Sequence, residues 1–154
     1  MSTEENKAAE RRLTEEVWNK RNPGAVDEFV AADVVEHNPI LGLGPGREGF
    51  RQALNMVFAG FPDVQITVED EIAEGDKVAL RWSGHATHRG EFMGIPATNK
   101  QVTVAGIDIY RYAGGKRVET WRYWDILGLM RQLGAVPSPS SAAKAPARAH
   151  ASTR

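Results

Sequence analysis

The sequence predicts an α+β domain in which N-terminal helices cover one face of a curved antiparallel sheet. Two observations predict it. Apolar residues recur at helical spacing up to about residue 60, and the period then changes to alternation in segments joined by short glycine-containing breaks. Helices packed on one face of a bent sheet enclose a cone with an open mouth. That shape supplies a concave apolar pocket, the usual home of a small-molecule site.

The elements follow in chain order. Residues 4–21 form an amphipathic helix, with Ala9, Leu13, Val17 and Trp18 at helical spacing, Ser2 or Thr3 as cap and Glu4 and Glu5 at its positive end. Asn22-Pro23-Gly24 stops it. A second helix spans about 24–32, and Val34-Val35-Glu36-His37-Asn38-Pro39 is a short extended segment entering a loop. Gly42-Leu43-Gly44-Pro45-Gly46 lacks the Lys-Ser/Thr of a phosphate-binding loop and the spacing of a dinucleotide fingerprint, so it reads as a turn. A third helix, about 46–60, carries Phe50, Leu54, Val57 and Phe58 on one stripe. Val64–Ala73, Lys77–Arg89, Gln101–Tyr112 and Lys116–Trp124 are strands whose connections are too short for parallel crossovers. A final helix, about 125–133, ends at Gly134. The domain thus covers 1–134, and 135–154 is an Ala/Ser/Pro tail expected to be disordered.

Composition narrows the function classes. The 154 residues carry 19 Lys plus Arg against 20 Asp plus Glu, a formal net charge of -1, which disfavours a nucleic-acid partner. There is no cysteine, so disulfide scaffolds, thiol nucleophiles and Cys-ligated zinc are excluded. The charged start and the absence of a long apolar run predict a cytoplasmic protein without a membrane partner. No G-x-S-x-G supports a serine triad.

The residues able to carry chemistry lie on the last strands. On 101–112 the alternation puts Val102, Val104, Asp108 and Tyr110 on one face and Ile107 and Ile109 on the other. A mid-strand aspartate runs against propensity, so Asp108 is either a buried partner of Arg81 or Arg111 or a carboxylate held for base chemistry. Glu119, Trp121, Tyr123 and Asp125 share a face of the last strand, and Asp125 is either the cap of the final helix or a general base. His85 and His88, three apart on a strand, point to opposite faces and make a poor metal pair, so no metal is expected. His37 enters a loop where it either anchors the turn or faces the pocket. Trp18, Phe58, Trp82, Phe92 and Trp121 supply aromatic walls.

The run Gly75-Asp76-Lys77-Val78-Ala79-Leu80-Arg81-Trp82, then Thr87-His88-Arg89-Gly90-Glu91-Phe92-Met93-Gly94-Ile95-Pro96, resembles the central hairpin of the SnoaL-like ester cyclases (polyketide cyclases). Gly106-Ile107-Asp108-Ile109-Tyr110-Arg111, Asp125-Ile126-Leu127-Gly128-Leu129 and Gln132-Leu133-Gly134 are similar too. The resemblance implies a cystatin-like or nuclear transport factor two-like cone and a homodimer. It also implies an intramolecular aldol closure of a polyketide methyl ester without metal or organic cofactor. For the acid/base it implies Asp125; His37 or His88 is the candidate polar partner, and Trp18, Phe58, Trp82, Phe92, Asp108, Tyr110 and Trp121 are the candidate residues around a hydrophobic or aromatic substrate. An isomerase, an epoxide hydrolase, a cofactor-free hydroxylase or a non-catalytic ligand binder would use the same fold.

Overall fold

A computed structural model describes residues 2–137, so the expected tail lies, from residue 138, outside the described residues. Helix α1 (Thr3–Leu13) starts with a reciprocal cap: the Ser2 side chain accepts from the Glu5 amide while the Glu5 carboxylate accepts from the Ser2 amide. The expected regular helix to residue 21 changes its winding at Thr14–Asn19, where it widens into a π-helical turn. Such turns recur at functional sites. This one carries Thr14 and Trp18, both on the wall of an interior cavity.

The expected helix over 24–32 is shorter. A 3-10 turn at Pro23–Ala25 and one turn of helix α2 (Val26–Phe29) give way to strand β1 (Val30–Glu36). The β-branched run Val30, Val34, Val35 suits a strand, and β1 gains a partner by pairing parallel with β5. Helix α3 (Gly46–Gly60) follows as expected, then β2 (Gln65–Glu74), β3 (Lys77–Thr87), β4 (Gln101–Ala113), β5 (Lys116–Trp124) and helix α4 (Ile126–Gln132). The sheet order is β1-β5-β4-β3-β2, with β2 to β5 antiparallel neighbours.

Strand β3 stops two residues short of its expected end because Asp63 accepts hydrogen bonds from the Thr87 amide and hydroxyl, each 2.7 Å. The chain then tucks against the end of α3, where Gly90 donates to the Gly60 carbonyl. A Cβ on Gly90 would lie 2.1 Å from the Ala59 carbonyl oxygen, so only glycine fits this approach.

The apolar core occupies the concave side. Leu13, Val17, Phe29, Val30, Phe50 and Leu54 join the helices to β1, while Phe61, Val64, Phe92, Val102, Leu129 and Leu133 close the end under α4. Between them the sheet is left with a hollow.

Candidate active site

The hollow is lined at one end by Asp108, Arg122, Arg117, Tyr110 and Glu10, and elsewhere by Trp18, Trp82, Trp124 and aliphatic side chains. It holds about 80 Å³ of free space, and a second void of about 50 Å³ adjoins it behind Val57, Val64, Val104 and Trp124. The second void has only apolar side chains and one glycine on its walls, among them Phe61, Phe92 and Leu129.

Alternation along β4 delivers Asp108 and Tyr110 to the hollow, and both are buried. Asp108 faces Arg122 across the β4–β5 ladder. Its Oδ2 accepts from the Tyr110 hydroxyl at 2.6 Å and from Arg122 Nε at 3.3 Å, while Arg122 Nη1 donates to Glu36 Oε2 at 3.0 Å. The expected partners of Asp108, Arg81 and Arg111, point the other way and pair with Asp70 and Glu119. Arg111 lies three residues beyond Asp108 on the same strand, which puts it on the opposite face.

A second buried group borders the first. Glu10 Oε1 accepts from Arg117 Nε at 3.0 Å and from the Tyr112 hydroxyl, and Oε2 accepts from Arg117 Nη2 at 2.7 Å. The Arg117 guanidinium lies 3.8 Å from the centre of the Tyr110 ring. Arg117 reaches the interior through an irregularity in β5: Arg111 pairs with Glu119 but Tyr112 pairs with Arg117, leaving Val118 as an extra residue. A bulge re-aims the side chain before it. Without it, strict alternation would put Arg117 outside with Glu119 and Trp121.

Burial pushes the Tyr110 hydroxyl well above its ordinary range, and the Asp108 carboxylate pushes it further, so Tyr110 stays protonated and donates. Burial alone pushes both guanidiniums down. Glu10 beside Arg117, and Glu36 and Asp108 beside Arg122, outweigh that, and both arginines stay charged. Three polar atoms at the hollow remain without a partner within the chain: Asp108 Oδ1, Arg117 Nη1 and the Trp82 indole nitrogen. A buried polar atom left unpaired is costly, and such atoms in a cavity are poised for a ligand.

The structure does not bring the expected catalytic residues together. Asp125 is exposed, and its Oδ1 accepts from the Gly128 amide at 2.8 Å, capping α4. It lies in an outer groove with Arg81 and Tyr123, because the face it shares with Glu119 and Trp121 is the convex one. His37 is on that outer face too, with Nε2 2.6 Å from Glu119 Oε2 and its ring stacked on Trp121 at 4.9 Å. Trp121 therefore does not line the hollow. His88 is fully buried beyond the end of β3, where its Nδ1 accepts from the Thr98 amide at 3.2 Å, and it anchors the loop instead. Of the expected wall residues, Trp18, Trp82, Asp108 and Tyr110 line the hollow. Phe92 lines the adjoining void, and Phe58 packs behind Trp18 at 5.9 Å. Among the described residues no group of three or more His, Asp and Glu is arranged to hold a metal ion.

A SnoaL-like polyketide cyclase family model matches residues 8–133. The chain belongs to that family. It is 31% identical over 131 residues to the aklanonic acid methyl ester cyclase DnrD of Streptomyces peucetius, covering 80% of this chain and 87% of that protein. Its fold matches AclR of Streptomyces galilaeus, described as a proposed hydroxylase, with a TM-score of 0.83 and 28% identity over 99% of this chain and 96% of the other. It also matches IdmH of Streptomyces antibioticus, a proposed polyketide cyclase, with a TM-score of 0.73 and 31% identity over 84% and 98% of the two chains. The nuclear transport factor two-like cone expected from the sequence is the fold found, and the kinship is with cyclase-type enzymes. No helix among the described residues is long and apolar enough to cross a membrane.

One glycine shapes this family member's cavity. A Cβ on Gly106 would lie 2.5 Å from Trp82 Cζ2 and 2.9 Å from the Tyr123 carbonyl oxygen, so the indole rests directly on the bare backbone. Gly106→Ala is expected to drive the Trp82 ring into the hollow and destabilise the fold by about 1–3 kcal/mol, the usual cost of overpacking. Denaturant midpoints and the tryptophan emission spectrum check this.

Proposed function

We propose that the chain closes a ring on a polyketide methyl ester by an intramolecular aldol step, with Asp108 as the general acid/base. The observation that carries the assignment is the unpartnered Asp108 Oδ1 at the hollow, on a carboxylate whose other oxygen is held by Tyr110 and Arg122. A base fixed on one side and free on the other presents one lone-pair site to the substrate. Oδ1 takes a proton from the activated carbon, and the electron pair moves to the neighbouring carbonyl oxygen. The enolate carbon then bonds to a second carbonyl of the same molecule. The alkoxide formed there takes the proton from Asp108. No atom is gained or lost, so product and substrate are isomers.

The free space of about 80 Å³ is smaller than drug-sized pockets of about 300–1,000 Å³. Val57, Val64, Val104 and Trp124 separate it from the second void, so a polycyclic substrate needs these side chains to shift. Kinship to an enzyme named for aklanonic acid methyl ester supports that compound and simpler β-keto esters as first substrates. Mass spectrometry of the product tests the reading. An isomer formed without dioxygen supports it, and a product one oxygen atom heavier, made only with dioxygen, favours the hydroxylase reading that the likeness to AclR suggests. Binding without turnover would mark a ligand carrier. Activity is expected to survive exhaustive dialysis against a chelator, and loss restored by one specific metal would overturn the cofactor-free mechanism.

The homodimer belongs to this reading. Ile72, Ile107, Ile109 and Tyr123 stand exposed on the convex face, Ile72 at 69% and Tyr123 at 65%. Apolar side chains gathered on one sheet face suit a second copy of the chain. Light scattering at micromolar concentration is expected to give a dimer, and Ile107→Glu to give a monomer.

A further inference from the structure

We infer that Arg117 binds the oxygen of the reacting carbonyl, so that the site holds its substrate as an enolate with the oxyanion on Arg117 Nη1; the inference rests on the aldol reading and names the electrophilic pole that reading needs. Arg117 is 1% exposed, and two of its nitrogens, Nε and Nη2, are spent on Glu10. The third, Nη1, is buried, has no partner within the chain, and belongs to a residue on the cavity wall. The bulge in β5 exists at the residue that brings this side chain inside, and Glu10, the Tyr110 ring and Tyr112 hold it there.

The two unpartnered atoms have complementary tasks. Asp108 Oδ1 is an unpartnered acceptor, whereas Arg117 Nη1 carries hydrogens and stays charged. When a C–H proton moves to Asp108, negative charge develops on the carbonyl oxygen. A fixed guanidinium N–H in a site walled by three tryptophans stabilises that charge more than water does, because it is oriented beforehand and poorly screened. Arg122 faces two carboxylates, Glu36 and Asp108, whereas Arg117 faces only Glu10, so Arg117 is the less neutralised cation at the hollow. His37 and His88, the donors expected from the sequence, lie outside the hollow.

The test uses 4-nitrophenol, whose ionised form is a coloured oxyanion on a conjugated ring. The full chain is expected to bind the ionised form about tenfold or more tightly than the neutral form, lowering the apparent pKa of the bound probe, as a charge-assisted hydrogen bond implies. Asp108→Asn, which mimics the protonated acid, is expected to keep or increase that preference. Glu10→Gln/Arg117→Met removes both charges together and leaves Tyr112 an acceptor, and it is expected to abolish the preference. Should that variant fail to fold, Glu10→Met/Arg117→Met supplies the same measurement. A folded double variant that still prefers the ionised probe as the parent does, or a parent that binds both forms alike, overturns the assignment. Turnover of Asp108→Asn is read separately. If it stays at the parent level the base assignment fails, while the probe measurement still decides Arg117.

Discussion

Asp108→Asn is expected to lower turnover by about 10²–10⁴-fold, the range typical of a lost general base, while the protein remains folded. The amide matches the carboxylate in shape. Its oxygen can still accept from the Tyr110 hydroxyl, and Arg122 keeps Glu36 at 3.0 Å, so neither neighbour is stranded. The cost to stability is about 1–3 kcal/mol, that of weakening hydrogen bonds to a charged group. The paired control is Asp125→Asn, which keeps a good helix cap at the Gly128 amide and is expected to change turnover by less than about twofold. Steady-state turnover of a β-keto methyl ester, with melting curves for both variants, decides between them. If Asp125→Asn loses activity and Asp108→Asn does not, the base lies on the convex face and the interior assignment is wrong.

The contrast between these two aspartates shows what the sequence can convey. Alternation grouped Glu119, Trp121, Tyr123 and Asp125 on one face of β5 and Val102, Val104, Asp108 and Tyr110 on one face of β4, and both groupings hold. Alternation does not say which face turns inward. The deciding signal was available in part: Val102 and Val104 mark the β4 face of Asp108 as the core face. A buried aspartate there needs a cation of matching parity on a neighbouring strand. Arg111 and Arg81 have the wrong parity, and Arg122, directly opposite Asp108, has the right one. Arg117 was not legible, because a bulge reverses the parity that a sequence reading would assign to it. The start of β1 was hidden for another reason. Val26, Phe29 and Val30 fit a helical stripe, and only the β5 edge, supplied from some ninety residues away (Val30 opposite Arg117), makes Val30 a strand residue.

Arg117→Met alone is expected to be the most destabilising single change in the site. It leaves Glu10, which is completely buried, with a carboxylate whose two charge-assisted bonds from Arg117 are gone and only the Tyr112 hydroxyl remaining. Removing one partner of a buried pair costs about 3–5 kcal/mol, because the survivor remains desolvated without compensation. For a chain of this length that corresponds to a fall of roughly 6–20 °C in melting temperature. Removing both partners is a different experiment. In Glu10→Gln/Arg117→Met neither charge of this pair is left unpaired inside, and replacing a buried ion pair by well-packed uncharged side chains of similar volume is often close to neutral. The double variant is therefore expected to melt within a few degrees of the parent, although it lacks the charged bonds present in the fold. Calorimetry of the two singles and the double forms a cycle with a large coupling energy if this holds. Equal losses for Arg117→Met and the double variant would mean that Arg117 supports the fold chiefly through its stacking on Tyr110, at 3.8 Å, and not through Glu10. Near-parent stability with lost oxyanion preference in the double variant would mean that the pair stabilises little and serves chiefly to hold Nη1 in place.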